Sequence, residues 1–438
     1  VSQLKKKVVM LLILTLASFV FIQADVIEAK QVETKAKTAI IVDADTGKVL
    51  YAKDADEALP PASMTKMMTQ YIVLEKIANG EFDWKDTTEI SDYPYWISSN
   101  NKFSGLGLTQ DKDYTIKSLY EAMVIYSDNG TTVALAEMVS GSEGEFVKLM
   151  NEKAAELGME NTEFYNSSGI DNDTLDGRHP EGTKKDDSNL MSARDAAVLA
   201  YHIVNDYPEA LEVSSKPSST FDDHEIINYN WMLKHDREFL KDFYYEGVDG
   251  LKTGHTELAG YTFTGTAERD GKRLIAVVMK TKSEEARFQE TAKLFDYGFN
   301  DFKETELFPA NYQIEDESTI PVEKGKEKSV QVATEEALSI PILQGTEKEY
   351  HVEYKIDESL LNEAGELSAP IKKGEKVGVA ELSFDEGEDF GYILNSEKKA
   401  TVDLVATENV EKKNWFSLML SAIGQFFVSL FDKIKGLF

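Results

Sequence analysis

The sequence predicts an α+β domain, then a small all-β domain of sandwich type, then an amphipathic C-terminal helix. Three observations carry this. Strand-like alternation opens and closes the stretch up to residue 305, helical periodicity fills the space between, and short alternating runs replace the helices from residue 306 onward. Strands at both ends of a segment with helices between them imply an α+β domain whose sheet joins both ends of the segment.

The elements follow in order. Residues 1–29 carry Lys5–Lys7, an apolar run from Val8 that continues to Ile22, and then Ala24 and Ala29. This is the layout of an export signal peptide, and the run is short for a membrane span. An uncleaved anchor is the alternative. Residues 30–305 form the first domain. "TAIIVDADTGKVLYAK" (38–53) alternates about a "DTGK" turn and reads as a β-hairpin. Helical periodicity covers Ser63–Ala78, Ile116–Val139, Gly144–Leu157 and Ser192–Asn205. Strands return in "GLKTGHTELAGYTFTGTAERDGKRLIAVVMKT", with "RDGK" as a turn, and "SEEARFQETAKLFDYGFNDF" is the last helix.

Residues 306–407 hold the runs "KSVQVA", "EYHVEYKI", "EKVGVAELSF" and "KATVDLVA", which are short strands. In residues 408–438 a narrow polar stripe (Ser417, Ser421, Gly424, Gln425, Ser429, Asp432, Lys435) recurs through an otherwise apolar, aromatic-rich segment. Such a helix lies in a membrane interface, with Lys412, Lys413, Lys433 and Lys435 near anionic headgroups. The two termini together predict an exported protein held on the extracytoplasmic face of a bacterial membrane.

Composition narrows the chemistry. The formal net charge of −31 opposes nucleic acid as a partner. Absence of cysteine excludes disulfides, thiol nucleophiles and zinc–thiolate sites. The six histidines show no H-E-x-x-H spacing, "DADTG" lacks the spacing of a calcium loop, and no Gly-rich phosphate loop follows a strand. No cofactor and no metal are expected.

In "PPASMTKMMT", Ser63 opens an apolar helix with Lys66 three residues on, so both share a face. Ser63 is either a helix cap or a nucleophile whose proton the amine removes. A lysine does that only when unprotonated, which requires burial and nearby positive charge, so a second cation is expected near Lys66. S-x-x-K alone is weak, since Ser99–Lys102 and Ser396–Lys399 repeat it without the helical context. "YSDNGTTVALAE" offers Ser127, Asp128 and Asn129 before a helix, again consistent with capping. "DGLKTGHTELAGY" places Lys252, Thr253 and Gly254 in a strand, where a small Gly lets an extended substrate lie against the edge. In the order S-x-x-K, S-D-N, K-T-G the three weak signals become one strong one, the set that marks penicillin-binding proteins and class A β-lactamases.

On these motifs, together with "DADTGKVLYAKDAD", "FYNSSGI", "MSARDAA" and "ARFQETAKLFDYGF", the chain resembles the serine-type D-alanyl-D-alanine carboxypeptidases, low-molecular-mass penicillin-binding proteins of the DacA type. The resemblance implies a DD-peptidase/β-lactamase-like fold. It also implies removal of the terminal D-Ala from peptidoglycan stem peptides, acylation by β-lactams and a role in cell-wall maturation. Residue by residue, Ser63 resembles the acylated nucleophile and Lys66 its general base. Ser127 corresponds to a proton relay to the leaving amine, Asn129 to a holder of the substrate amide, and Lys252 to a source of positive potential beside Lys66. Thr253 and Arg287 correspond to readers of the substrate carboxylate. The main-chain N–H groups of Ser63 and His255 correspond to the oxyanion hole.

The loops "DNDTLDGRHPEGTKKDDSN" and "WMLKHDREFLKDFYYEG" depart from the family pattern in length and acidity and are expected to rim the cleft. Alternatives within reach of the same motifs are a D,D-endopeptidase, a class A-type β-lactamase and a penicillin-binding sensor without turnover. The second domain and the tail speak against the β-lactamase.

Overall fold

In the computed structural model, residues 32–384, 390–394, 400–414, 419 and 423 are described. The expected signal peptide, and most of the expected tail helix, lie outside them. Among the described residues no helix is long and apolar enough to cross a membrane.

The predicted hairpin forms from β1 (Thr38–Asp43) and β2 (Val49–Lys53). Its turn is tied by Asp43, whose Oδ1 accepts from Thr46 N (2.9 Å) and Thr46 Oγ1 (2.7 Å). β1 is buried along its whole length, which follows from its position inside a sheet covered on both faces. The "KTG…RDGK" region supplies β3 (Val248–Thr256), β4 (Gly260–Arg269) and β5 (Lys272–Thr281). The five strands pair antiparallel in the order β2–β1–β5–β4–β3, so the first and last segments of the domain close on one another and β3 is a sheet edge.

The longer helices between β2 and β3 are α1 (Lys66–Ala78), α2 (Asp92–Ser98), α3 (Ile116–Tyr126), α4 (Asn129–Ser140), α5 (Glu143–Glu156) and α6 (Ala193–Asp206), and a short turn of helix follows at Ala210–Ser214. α7 (Glu284–Asn300) follows β5, capped by Ser283 Oγ, which accepts from Ala286 N at 3.1 Å. One predicted helix is corrected. Ile116–Val139 is two helices, broken where Ser127 adopts φ 61° and Asp128 caps α4 by accepting from Thr131 N at 2.6 Å. α1, α6 and the sheet share the main core, with Ile40, Met67, Ile72, Leu199 and Val277 fully buried.

Beyond α7, a strand at Phe302–Phe308 pairs with Leu338–Leu343. A six-stranded, mostly antiparallel sheet completes the β-rich second domain, its one parallel pair joining Val322 to Leu367. Leu338, Ile340 and Ile342 pack on Val352, Ala380 and Leu382 to join the two sheets. Residues 391–393 return to the first domain and extend the free edge of β2, with Val49 N donating to Gly391 O (2.9 Å) and Ile393 N to Gly47 O (3.0 Å). This covers the start of that edge, and a covered edge is less open to pairing with other chains.

Candidate active site

Ser63 sits in a 3₁₀ turn, Ala62–Thr65, that leads directly into α1. The turn is wedged between two glycines. A Cβ on Gly169 would lie 1.9 Å from Ala62 O, and one on Gly254 would lie 2.6 Å from Pro61 O and 3.2 Å from Ser63 N. No side chain fits either gap, so both positions require glycine. At Gly254 the missing side chain admits the nucleophile's own turn. Ala62 has φ 48°, a left-handed conformation that costs a non-glycine residue about 1–3 kcal/mol and persists because its surroundings hold it.

Lys66 is 1% exposed. Its Nζ lies 2.9 Å from Ser63 Oγ and donates to Asn129 Oδ1 and to Ser168 O, both at 2.7 Å. Those two oxygens are acceptors only. They consume the two N–H groups of a neutral amine and leave its lone pair for the Ser63 hydroxyl. Burial pushes the amine down to about 7, against the opposing charges of Asp128 and Glu143. Asn129 is fixed from its other end, its Nδ2 donating to Ser104 O at 3.0 Å. In this geometry Asn129 orients the base, and the amide contact expected for it is already shared with Ser104.

Ser127 stands in the α3–α4 break, its backbone bent inward by the left-handed conformation, and lines a cavity of about 310 Å³ together with Ser63, Tyr229, Thr253, His255 and Arg287. Lys252 is buried on β3, its Nζ donating to Thr253 O at 3.2 Å. Burial, then the Lys66 charge, then the Arg287 charge hold its pKa well below the ordinary lysine value. Simultaneous protonation of the two lysines is therefore disfavoured, although burial is the first cause of the shift at Lys66. Arg287 is 3% exposed and also buried enough to fall to about 10. It donates to Gly254 O (3.2 Å) and Glu284 Oε1 (2.7 Å), while its Nε is buried without a partner. His255 is exposed and stacks on Tyr261 with ring centroids 4.1 Å apart.

All nine predicted residues thus converge on one cleft. On the other side of Ser63 it widens into a cavity of about 940 Å³ rimmed by Asp171, Asp173, Lys185, Asp186 and Ser188. The first acidic loop is therefore a wall of the cleft. The second is not: Trp231 and Phe243 pack on Phe288 of α7, and no residue of 231–247 lines either cavity. Ser104, Ser168 and Glu143 were not singled out from the sequence. Ser104 and Ser168 act through main-chain carbonyls, which carry no residue-type signal, and Glu143 bonds Ser167 rather than Lys66.

Comparison with known proteins agrees with this geometry. The family profile described as D-alanyl-D-alanine carboxypeptidase (peptidase S11) matches residues 25–283, and that of the penicillin-binding protein 5 C-terminal domain matches residues 302–412. The chain is 30% identical to the Bacillus subtilis D-alanyl-D-alanine carboxypeptidase DacF over 94% of its own length and 96% of that protein's. It is 30% identical to the Escherichia coli D-alanyl-D-alanine carboxypeptidase DacA over 80% of each. Among solved structures, a peptidoglycan synthesis regulatory factor (PBP3) from Streptococcus pneumoniae superposes with a TM-score of 0.67 at 33% identity, covering 86% of this chain and all of that one. Penicillin-binding protein D2 from Listeria monocytogenes, in its ampicillin-bound form, gives 0.52 at 32% identity over 62% of this chain and all of that one. The chain belongs to the serine D-alanyl-D-alanine carboxypeptidase family, with a penicillin-binding-protein-5-type C-terminal domain.

Proposed function

We propose that this carboxypeptidase works through an acyl-enzyme on Ser63. Neutral Lys66 takes the hydroxyl proton as Oγ attacks the carbonyl between the two terminal D-Ala residues of a stem peptide. The main-chain N–H groups of Ser63 and His255 receive the developing oxyanion. Ser127 passes a proton to the leaving amine, D-Ala departs, and water hydrolyses the ester. Arg287, Thr253 and Lys252 hold the terminal carboxylate, and binding of that anion draws a proton onto Lys252. Gly254 keeps β3 against the nucleophile's turn. The observation that carries this reading is the 2.9 Å approach of Lys66 Nζ to Ser63 Oγ, with both remaining amine donors engaged.

β-Lactams carry a carboxylate beside a strained amide and would acylate the same serine; the ampicillin-bound relative supports this. Residues 1–29 as an export signal, 30–305 as the catalytic domain, 306–407 as the β domain and 408–438 as a membrane-surface helix complete the proposal. The pairing of Phe302–Phe308 with Leu338–Leu343 favours a boundary a few residues earlier, near 301. The test is release of D-Ala from a stem pentapeptide. Wild-type protein should release it, and Ser63→Ala should not; release by Ser63→Ala contradicts the assignment.

A further inference from the structure

Glu143 is the first residue of α5 and is almost fully buried, beside the catalytic cleft but outside it. A glutamate in the first turn benefits from the helix dipole without needing burial. Burying a carboxylate is costly unless it is well bonded. Here Oε1 accepts twice from Ser167, from its N–H at 2.9 Å and from its hydroxyl at 2.5 Å. The next peptide carbonyl, Ser168 O, accepts from Lys66 Nζ at 2.7 Å, and Ser167 O accepts from Thr69 Oγ1 at 2.9 Å. Lys66 and Thr69 are one turn apart on α1, so that helix grips both carbonyls of the 167–168 segment while Glu143 holds the segment from behind. Without Glu143 the Ser167 N–H and hydroxyl lose their buried acceptor, and the carbonyl that orients the base loses its support.

We propose that Glu143 is a positioning residue for the general base: its carboxylate fixes the 167–168 main chain, and that main chain fixes Nζ of Lys66 against Ser63. The inference rests on the reading of Lys66 as base given above.

The charges around the pair define what its removal does. Lys66 is faced by Asp128 and Glu143 and lies near Lys252. Glu143 is faced by Tyr93 and Glu137, and burial raises its own pKa. A negative charge at Glu143 favours protonated Lys66, so its loss makes the amine easier to deprotonate and moves the acid limb of acylation to lower pH.

The experiment follows acylation of the full chain by a fluorescent penicillin between about pH 5 and pH 9 for wild type, Glu143→Ala, Glu143→Gln and Lys66→Ala. Glu143→Ala should lower the plateau rate about tenfold or more, the scale expected for a displaced catalytic group. Glu143→Gln keeps an acceptor for Ser167 and should restore most of the plateau. Both variants should share the shift of the acid limb. A wild-type plateau in Glu143→Ala, a Glu143→Gln variant as slow as Glu143→Ala, or an unmoved acid limb in both would each overturn the proposal. Lys66→Ala separates the two claims: if it acylates normally, the base assignment itself fails, whatever Glu143 does.

Discussion

Lys66 Nζ touches Ser63 Oγ at 2.9 Å while Asn129 and Ser168 take its other two hydrogen bonds at 2.7 Å. A buried amine held in this way has one open valence, and it points at the nucleophile.

The pH dependence of acylation follows from that relationship. Burial lowers Lys66 to about 7, so the neutral, proton-accepting form is present above that pH and is lost below it. The second-order rate of penicillin acylation should therefore rise tenfold per pH unit below about 7 and level off above it. Lys66→Arg, whose guanidinium stays charged, should show no such limb and almost no acylation.

Arg287 should act on the substrate's carboxylate rather than on the bond being broken. Loss of a charged hydrogen bond costs about 1.5–3 kcal/mol, so Arg287→Ala should lower kcat/KM about 10- to 100-fold. A pentapeptide amidated at its C-terminus provides the control. Wild type should lose most of its activity on it, and Arg287→Ala should lose little more; an equal loss in both proteins would place the role of Arg287 elsewhere.

The two glycines that wedge the Ser63 turn are predicted to be intolerant of any side chain. Gly254→Ala would drive a methyl to 2.4 Å from Thr262 Oγ1, and should destabilise the protein by about 1–3 kcal/mol in chemical denaturation as well as slow acylation. Gly169→Ala should be worse, because φ +84° adds backbone strain to the clash with Ala62 O.

The acidic wall of the larger cavity should select peptides and leave β-lactams alone. Asp173→Asn combined with Asp186→Asn is expected to raise KM for stem peptides with a cationic third residue. Penicillin, which lacks that cationic residue, should acylate at nearly the wild-type rate. Comparing KM for peptides of differing charge checks this.

Much of the architecture could be read from residue patterns because those patterns are local. Alternation marked the β1–β2 hairpin and the β3–β5 strands, and the end-to-end closure of the sheet followed from strands flanking helices. The break at Ser127 was hidden because the apolar periodicity of Ile116–Val139 continues across it and the left-handed residue is serine rather than glycine. The nine site residues were legible because each belongs to a short motif or stands at a motif-aligned position. What escaped was the support behind them. Ser168 and Ser104 act through carbonyls that any residue would supply, and Glu143 reaches Ser167 across 24 positions of sequence. The packing reason for Gly254 was likewise invisible, since only the folded chain reveals that Pro61 and Ser63 stand beside it.

The most direct test of the whole account is intact-protein mass after benzylpenicillin, followed by peptide mapping of the adduct. A single penicilloyl group on Ser63, absent from Lys66→Ala within the same reaction time, is the predicted result. An adduct on any other residue, or undiminished labelling of Lys66→Ala, would contradict it.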